Sequence, residues 1–512
     1  MSIFNKVKLP GVNSNRFNLS HDVKLSLRMG TITPTCCMEV VPGDKISIST
    51  QNMLRFLPLI SPVMHKVNVT THFFFVPNRI LWPEWEKWIT GDTDAAVPVA
   101  SIGETEKGSL ADYMGSPVGS YQVDIDFSVL PFAAYRKIWD EYYRDQNLQD
   151  EIFVPLVPGD NVAYEEDFQA GSLQKRAWRH DYFTSALPFA QKGDAVTLPL
   201  IQGGPVPVTD SGVNNNDILR SAVDGSIITA PSNLETITGG GLTADGTTSA
   251  YLDPNGNLEV DINNEAADIN TLRRAFRLQE WLERNARGGT RYIENILAHF
   301  GVRSSDARLQ RPEYLGGAQQ NMVISEVLST ANTETETEGS PVGQMSGHGI
   351  SVGGGKGFNY RAEEHGFIIG LINVQPTTAY QQGIHKMFSR ADRLDYYWPS
   401  FANIGEQEIL NKELYAFAPP SGLNETFGYI PRYSEYKFQN SRVAGELRDT
   451  LSYWHLGRIF DSTPSLNESF IEADPSTRIF AVTDPDEDHI VAHVYHKISA
   501  IRKMPKYGIP TI

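Results

Sequence analysis

Cysteine is almost missing from the 512 residues: Cys36 and Cys37 are the only two, and they are adjacent. Neighbours in an extended chain point to opposite faces, so a bridge between them would be strained. They read as free thiols of a protein made in a reducing cytoplasm. No apolar run approaches the ~18 residues that a membrane-spanning helix needs, and the opening MSIFNKVKLPGVNSN lacks the apolar core of a secretory signal. An excess of base is missing too. The formal net charge is −17, which argues against a generic nucleic-acid binder. Apolar residues make up 40% of the chain, enough for a sizeable core. The length exceeds that of one small domain but allows a single β-domain with long insertions.

The charge that is present is unevenly placed. Residues 201–270 hold ten Asp/Glu and one Arg, a net −9, with Tyr251 the lone aromatic and three consecutive glycines at Gly239–Gly241. Such a stretch buries little apolar area, so it reads as an acidic surface insertion. The first sixteen residues carry Lys6, Lys8 and Arg16 without an acid. The last sixteen carry Lys497, Arg502, Lys503 and Lys506, also without one. Residues 1–20, rich in Asn, Ser and Pro, read as an extended basic arm. Residues 329–357, with a Thr-Glu alternation and eight glycines between Gly339 and Gly357, read as a Gly-rich loop.

Between these stretches the pattern is mainly that of strands. In residues 67–75, Val67, Val69, Thr71, Phe73 and Phe75 alternate with a second set, the period of two that a sheet requires. Pro77 ends that strand, and a short helix should follow, with Trp85 and Trp88 on one face and Gly91 at its end. Val23, Leu25 and Leu27 alternate, as do Ile46 and Ile48 after the turn at Pro42–Asp44, and again Ile490, Ala492, Val494, His496 and Ile498. Gly366–Val374 is a continuous apolar run, as in a strand covered on both faces. Helices are isolated. Pro131 opens one predicted to run to Gln149, with Phe132, Tyr135, Ile138, Trp139 and Tyr142 as its core stripe. Another is predicted after Asn270 or Thr271 as cap, ending at Gly288. The expectation is a β-sandwich or barrel with loop and helical insertions, not an alternating α/β fold.

Motifs for chemistry are weak. Gly349–Gly353 spells the nucleophile-elbow pattern, but it lacks the strand before and helix after that the pattern needs. Gly355-Lys356 lacks the spacing of a phosphate loop, and Gly357 stands where Ser/Thr would bind magnesium. His489, His493 and His496 are spaced too far apart on a strand to share one zinc. Glu165-Glu166-Asp167 and Glu363-Glu364 read as solvated faces. No cofactor or metal site is expected. The basic ends say more. Lys6, Lys8 and Arg16, and Arg502, Lys503 and Lys506 beside Tyr507, suit loose contact with single-stranded nucleic acid. Ordinary solubilising termini would look the same. Replacing Arg502, Lys503 and Lys506 with Gln is expected to leave the fold intact.

Several long blocks, in order, carry a resemblance. They are SPVMHKVNVTTHFFFVPNRILWPEWEKWITG (61–91), PFAAYRKIWDEYYRDQNLQD (131–150), HDYFTSALPFAQKG (180–193), RYIENILAHFGV and DARLQRPEYLGG (291–317), EHGFIIGLINVQPTTAYQQGIHKMFSR (364–390) and RKMPKYGIP (502–510). Together the chain resembles the major capsid proteins of gokushovirus-type Microviridae, small phages with single-stranded DNA. The resemblance covers nearly the whole chain outside residues 200–270 and 330–357.

That resemblance implies an eight-stranded antiparallel jelly roll spanning residues 21–512. It implies sixty copies in a T=1 icosahedral shell around single-stranded DNA, assembled in the host bacterial cytoplasm and found in the virion. It also implies a protrusion at the three-fold axes where the insertion 201–270 lies, with Asp245, Tyr251 and Asp253 as candidate host-surface contacts. A small basic DNA-binding protein and an internal scaffolding protein of the same phage are the implied partners. Two other classes stay open: a β-sandwich glycan-binding or host-attachment module, and a β-sandwich hydrolase.

Overall fold

In the computed structural model the alternating segments become eleven strands of two facing sheets. Before the long insertion come β1 (Asn15–Asn18), β2 (His21–Leu27), β3 (Thr33–Val40), β4 (Lys45–Phe56) and β5 (Val67–Pro77). After it come β6 (Glu313–Asn321), β7 (Val323–Leu328), β8 (Met345–Gly354), β9 (Phe358–Arg361) and β10 (Gly366–Pro376), and finally β11 (Ile490–Arg502). The structure describes residues 13–194, 196, 270–330, 343, 345–355, 357–482, 484 and 487–507, and between 208 and 269 the backbone of short strands and a helix start. Strand exceeds helix, 33% against 23%, so the chain is mainly β.

The first sheet runs β1/β2–β11–β4–β8/β9 with β7 outside β8, and the second runs β6–β5–β10–β3. All their pairings are antiparallel. β1 and β2 lie end to end along β11, and β8 and β9 end to end along β4. The chain visits the first sheet with β1/β2, then the second, first and second again, which is the winding of a jelly roll. β5 and β6 are neighbours in space although more than two hundred residues separate them, and a second long insertion lies between β10 and β11.

Burial follows period two. In β4, Ile46, Ile48, Thr50, Asn52, Leu54 and Phe56 are buried and their neighbours are not. β5 and β10 are covered on both faces, which is why the sequence of β10 is almost continuously apolar; β5, read as an alternating strand, buries Asn68, Thr70 and Thr71 along with its apolar residues. Phe73 and Phe75 point between the sheets against Ile46, Ile48, Ile368 and Ile498. Phe74 and Val76 point the other way, beneath helix α1 (Leu130–Tyr142), whose Phe132, Tyr135, Ile138 and Trp139 share their cluster. A second inter-sheet cluster gathers Leu27, Leu54, Phe56, Val67, Ile372 and Ile490. Between the two inter-sheet clusters lies a polar belt. His496 reaches Thr50 Oγ1 at 2.9 Å within its own sheet and the Thr35 carbonyl of the opposite sheet at 3.0 Å, and Asn52 donates to Thr71 at 3.3 Å.

Several expectations shift. After β5 the helix comes in two short pieces, Asn78–Leu81 and Trp85–Ile89, and Trp82, Trp85 and Trp88 cluster with ring centroids 5.5 to 6.3 Å apart. α1 stops at Tyr142 instead of Gln149. The Asp145 carboxylate takes the N–H groups of Asn147 and Leu148, a local turn that competes with helix. The later helix spans Ile269–Gly288, so Asn270 and Thr271 lie inside it instead of capping it. Residues 15–18 of the expected arm are a sheet strand. Within the expected loop 329–357, residues 345–354 are strand β8; its glycines lie where the backbone needs close approach. A Cβ at Gly349 would sit 2.6 Å from the Phe56 ring, and one at Gly347 would collide with the Ser61 carbonyl. Asp167 is not on a solvated face either. It is buried 2.9 Å from the buried Arg136.

The chain divides into two compact units, Met1–Ala190 with Asn285–Ile512, and Gln191–Arg284. The sandwich belongs to the first. The second contains a four-stranded antiparallel sheet in the order Leu234–Ile237, Gly241–Ala244, Thr248–Leu252, Leu219–Ser221, and a strand pair Val208–Asp210 with Leu258–Val260. Among the described residues no helix is long and apolar enough to cross a membrane.

Candidate nucleic-acid and assembly surfaces

The two basic ends of the chain meet. β1 pairs with the last residues of β11, Asn15 opposite Arg502 and Arg16 opposite Ile501. Asn15 donates to the Met504 carbonyl at 2.7 Å, and Arg16 Nε donates to Ser499 Oγ at 2.7 Å. Lys503, Lys506 and Tyr507 are exposed beside them, with Lys506 Nζ 5.8 Å from the Tyr507 ring centroid. Arg502 behaves differently. Its Nε lies 3.0 Å from the carboxylate of the fully buried Asp44, and its Nη2 donates to the Glu39 carbonyl at 2.9 Å. Its charge holds the turn between β3 and β4 instead of facing solvent. Lys6 and Lys8 lie outside the described residues.

Of the insertion residues, Asp245 and Asp253 lie outside the described residues. Tyr251 lies in the strand Thr248–Leu252, opposite Arg220, the only cation of that acidic stretch.

The chemical motifs dissolve into strand structure. Gly349–Gly353 is extended within β8, and Ser351 Oγ donates to the Asn321 carbonyl at 3.0 Å and accepts from Gln320 at 2.8 Å. The three histidines go separate ways: His489 to the Val482 carbonyl, His493 to Asp22, His496 to Thr50 and Thr35. Both cysteines are free, and burial pushes the Cys36 thiol up to about 12. Among the described residues no three His, Cys, Asp or Glu side chains are placed to hold a metal ion.

Sequence reasoning missed the exposed apolar surface. Every residue from Ala391 to Ser400 is exposed, including Leu394, Tyr396, Tyr397 and Trp398, and Phe388 just before them is 73% exposed. This ledge is built by its own hydrogen bonds. Asp395 accepts the N–H groups of Ala391 and Asp392 at 2.8 and 2.9 Å, which holds its carboxyl below the usual range, and Trp398 Nε1 donates to the Arg393 carbonyl at 2.9 Å. The half-buried Arg390 braces it, 4.5 Å from the Tyr436 ring and paired with the buried Glu435 at 3.4 Å. Helix Tyr292–Phe300 ends in a second patch, with Phe300 77% exposed. A contiguous apolar surface of this kind marks contact with another protein. The YYW run was the available signal, but it follows neither helical nor strand period.

The chain matches the family described as "Capsid protein (F protein)" over residues 6–512. It is 37% identical to "Capsid protein VP1" of Bdellovibrio phage phiMH2K, over 98% of this chain and 96% of that one. It is 34% identical to "Capsid protein VP1" of Chlamydia phage 1, over 99% and 97%. The same protein of Spiroplasma virus 4 is 32% identical, over 99% and 97%.

Proposed function

Because the chain belongs to the capsid protein (F protein) family and is a structural major capsid protein, we propose that sixty copies close into a T=1 shell around single-stranded DNA. No catalytic step is part of this reading. The observation that carries it is the preformed ledge at residues 388–398: rings held rigid yet left in water are ordered for a partner, and in a shell that partner is another copy. The loops, not the sheets, supply this apolar surface, so inter-subunit contacts belong mainly to insertions. Burial above ~2,000 Å² in total per subunit suits an obligate shell.

The joined basic ends suit an inward position, with Arg16, Lys503, Lys506 and Tyr507, and with Lys6 and Lys8 further out, touching packaged DNA. These few charges do not neutralise a genome, which leaves a role for a small basic protein of the same phage, and for a scaffolding protein during assembly in the host cytoplasm. The acidic insertion 201–270 would repel DNA and suits an outward protrusion at the three-folds. There it would contact the host surface through Asp245, Tyr251 and Asp253.

Sedimentation with electron microscopy tests the reading. Sixty copies of a 57.0 kDa chain give particles of about 3.4 MDa with icosahedral outlines. A protein that stays a small oligomer under all assembly conditions would favour the glycan-binding module instead.

A further inference from the structure

The two sheets divide the chain's charge unequally. The strands of the first sheet carry seven Lys/Arg against two acids, Asp22 and Glu326. The four strands of the second carry no Lys or Arg and two acids, Glu39 and Glu313. In a chain of net −17, the first sheet is a local reversal of sign.

Period two decides where that charge points. Ile46, Ile48, Leu54 and Phe56 of β4 face the second sheet, so Lys45, Ser47, Gln51, Met53 and Arg55 lie on the opposite, exposed face. The same alternation in β11 adds Tyr495 and Lys497, and in β9 Arg361. The acid on this face is already engaged: Asp22 contacts Lys24 and lies 3.1 Å from His493. Lys45, Arg55, Arg361 and Lys497 have no ion-pair partner among the described residues.

A second observation points to an anion. Lys45 and Arg361 stand directly opposite each other across β4 and β9. Like charges so placed repel and destabilise a sheet, and a phosphate seated between them would turn that repulsion into two attractions. Around them the surface offers hydroxyl and amide groups at Ser47 and Gln51, and an exposed ring at Tyr495. Cations with an interleaved ring form the platform on which single-stranded nucleic acid lies, phosphates on the charges and a base on the ring.

We propose that the exposed face of the first sheet is the protein's binding surface for single-stranded DNA, centred on Lys45, Arg55, Arg361, Lys497 and Tyr495, with the joined termini at its margin. The proposal rests on the capsid reading for the identity of the strand, and it names the face that the shell turns inward.

The test uses the full chain bearing Lys45→Gln, Arg55→Gln, Arg361→Gln and Lys497→Gln together. All four side chains are exposed, so circular dichroism should match the wild type. Binding of a dT oligonucleotide to unassembled subunits is measured across a salt series, and nucleic-acid content is measured on purified shells. The expected result is shells that sediment as wild type but hold several-fold less nucleic acid, with a salt slope of log affinity flatter by about 3, from ~0.7 per lost phosphate contact. Tyr495→Ala should weaken dT binding roughly tenfold while Tyr495→Phe keeps it. An unchanged slope with unchanged loading overturns the proposal. If neither protein forms shells, the capsid reading fails, and the dT slope still decides whether this face binds DNA. If only the variant fails to form shells, the slope again decides.

Discussion

A single imidazole stitches the two sheets. His496 sits fully buried in the polar belt, and because a carbonyl only accepts, its Nε2–H must donate to Thr35 O while Nδ1 accepts from Thr50. That tautomer is neutral. Burial, helped by the His21 ring 5.4 Å away, holds the imidazole down at about 4. A base depressed in the fold stabilises fully above its unfolded value near 6.5 and loses that contribution as pH falls toward 4. Between about pH 7 and about pH 4.5 it should withdraw about 2 to 3 kcal/mol. Urea midpoints of wild type and His496→Gln across that range check this: the wild type should lose stability more steeply, and parallel curves would exclude the histidine as the cause. Arg502 gives the other residue-scale expectation. Read from sequence it is one of three interchangeable tail cations, but in the fold it neutralises buried Asp44. Arg502→Gln should cost about 3 kcal/mol in urea unfolding, while Lys503→Gln with Lys506→Gln should stay within about 0.5 kcal/mol.

At the scale of elements, β8 shows why composition misleads. Glycine is a poor strand former, so residues 345–354 look like loop, and propensity alone says that Gly349→Val should strengthen a strand there. The structure argues the reverse. The new Cβ would press into the Phe56 ring at 2.6 Å, within a buried apolar cluster. Gly349→Val should lower stability by about 2 kcal/mol. Val352→Ala, on the exposed face of the same strand, should cost well under half of that. Equal urea midpoints for the two variants would show that the strand tolerates a side chain at both faces. α1 teaches the complementary point. Its stripe of Phe132, Tyr135, Ile138 and Trp139 was legible because a helix that covers a sheet must repeat every three to four residues. Its end was not, because the Asp145 turn competes through side-chain hydrogen bonds that period does not encode.

For the whole molecule, the distribution of charge carries the expectation. Nine of seventeen net negative charges lie in residues 201–270. Three such insertions meeting at a three-fold would bring ~27 negative charges together, which salt or cations must screen. Replacing residues 203–263 by a short Gly-Ser linker should leave closed shells, seen by electron microscopy, while adsorption to the host falls. Loss of shells would make the insertion an assembly element. Unchanged adsorption would move attachment elsewhere.

Whatever depends on order along the chain was set by sequence alone. The alternation of β2, β4, β5 and β11, the doubly covered β10, the free adjacent thiols and the acidic stretch each follow from period or composition over a few neighbouring residues, and the blocks at 61–91 and 364–390 carried the resemblance. Only the tertiary structure decided what depends on pairing across the fold. Antiparallel pairing of β1 with β11 joined the two basic ends; Asp44 claimed Arg502; and the facing of the sheets turned Lys45 and Arg55 of β4, Arg361 of β9 and Lys497 of β11 onto one exposed surface. Period two says that a side chain alternates, but which of the two faces meets another sheet and which meets water is settled by long-range packing, where apolar area leaves water and unpaired charge stays in it.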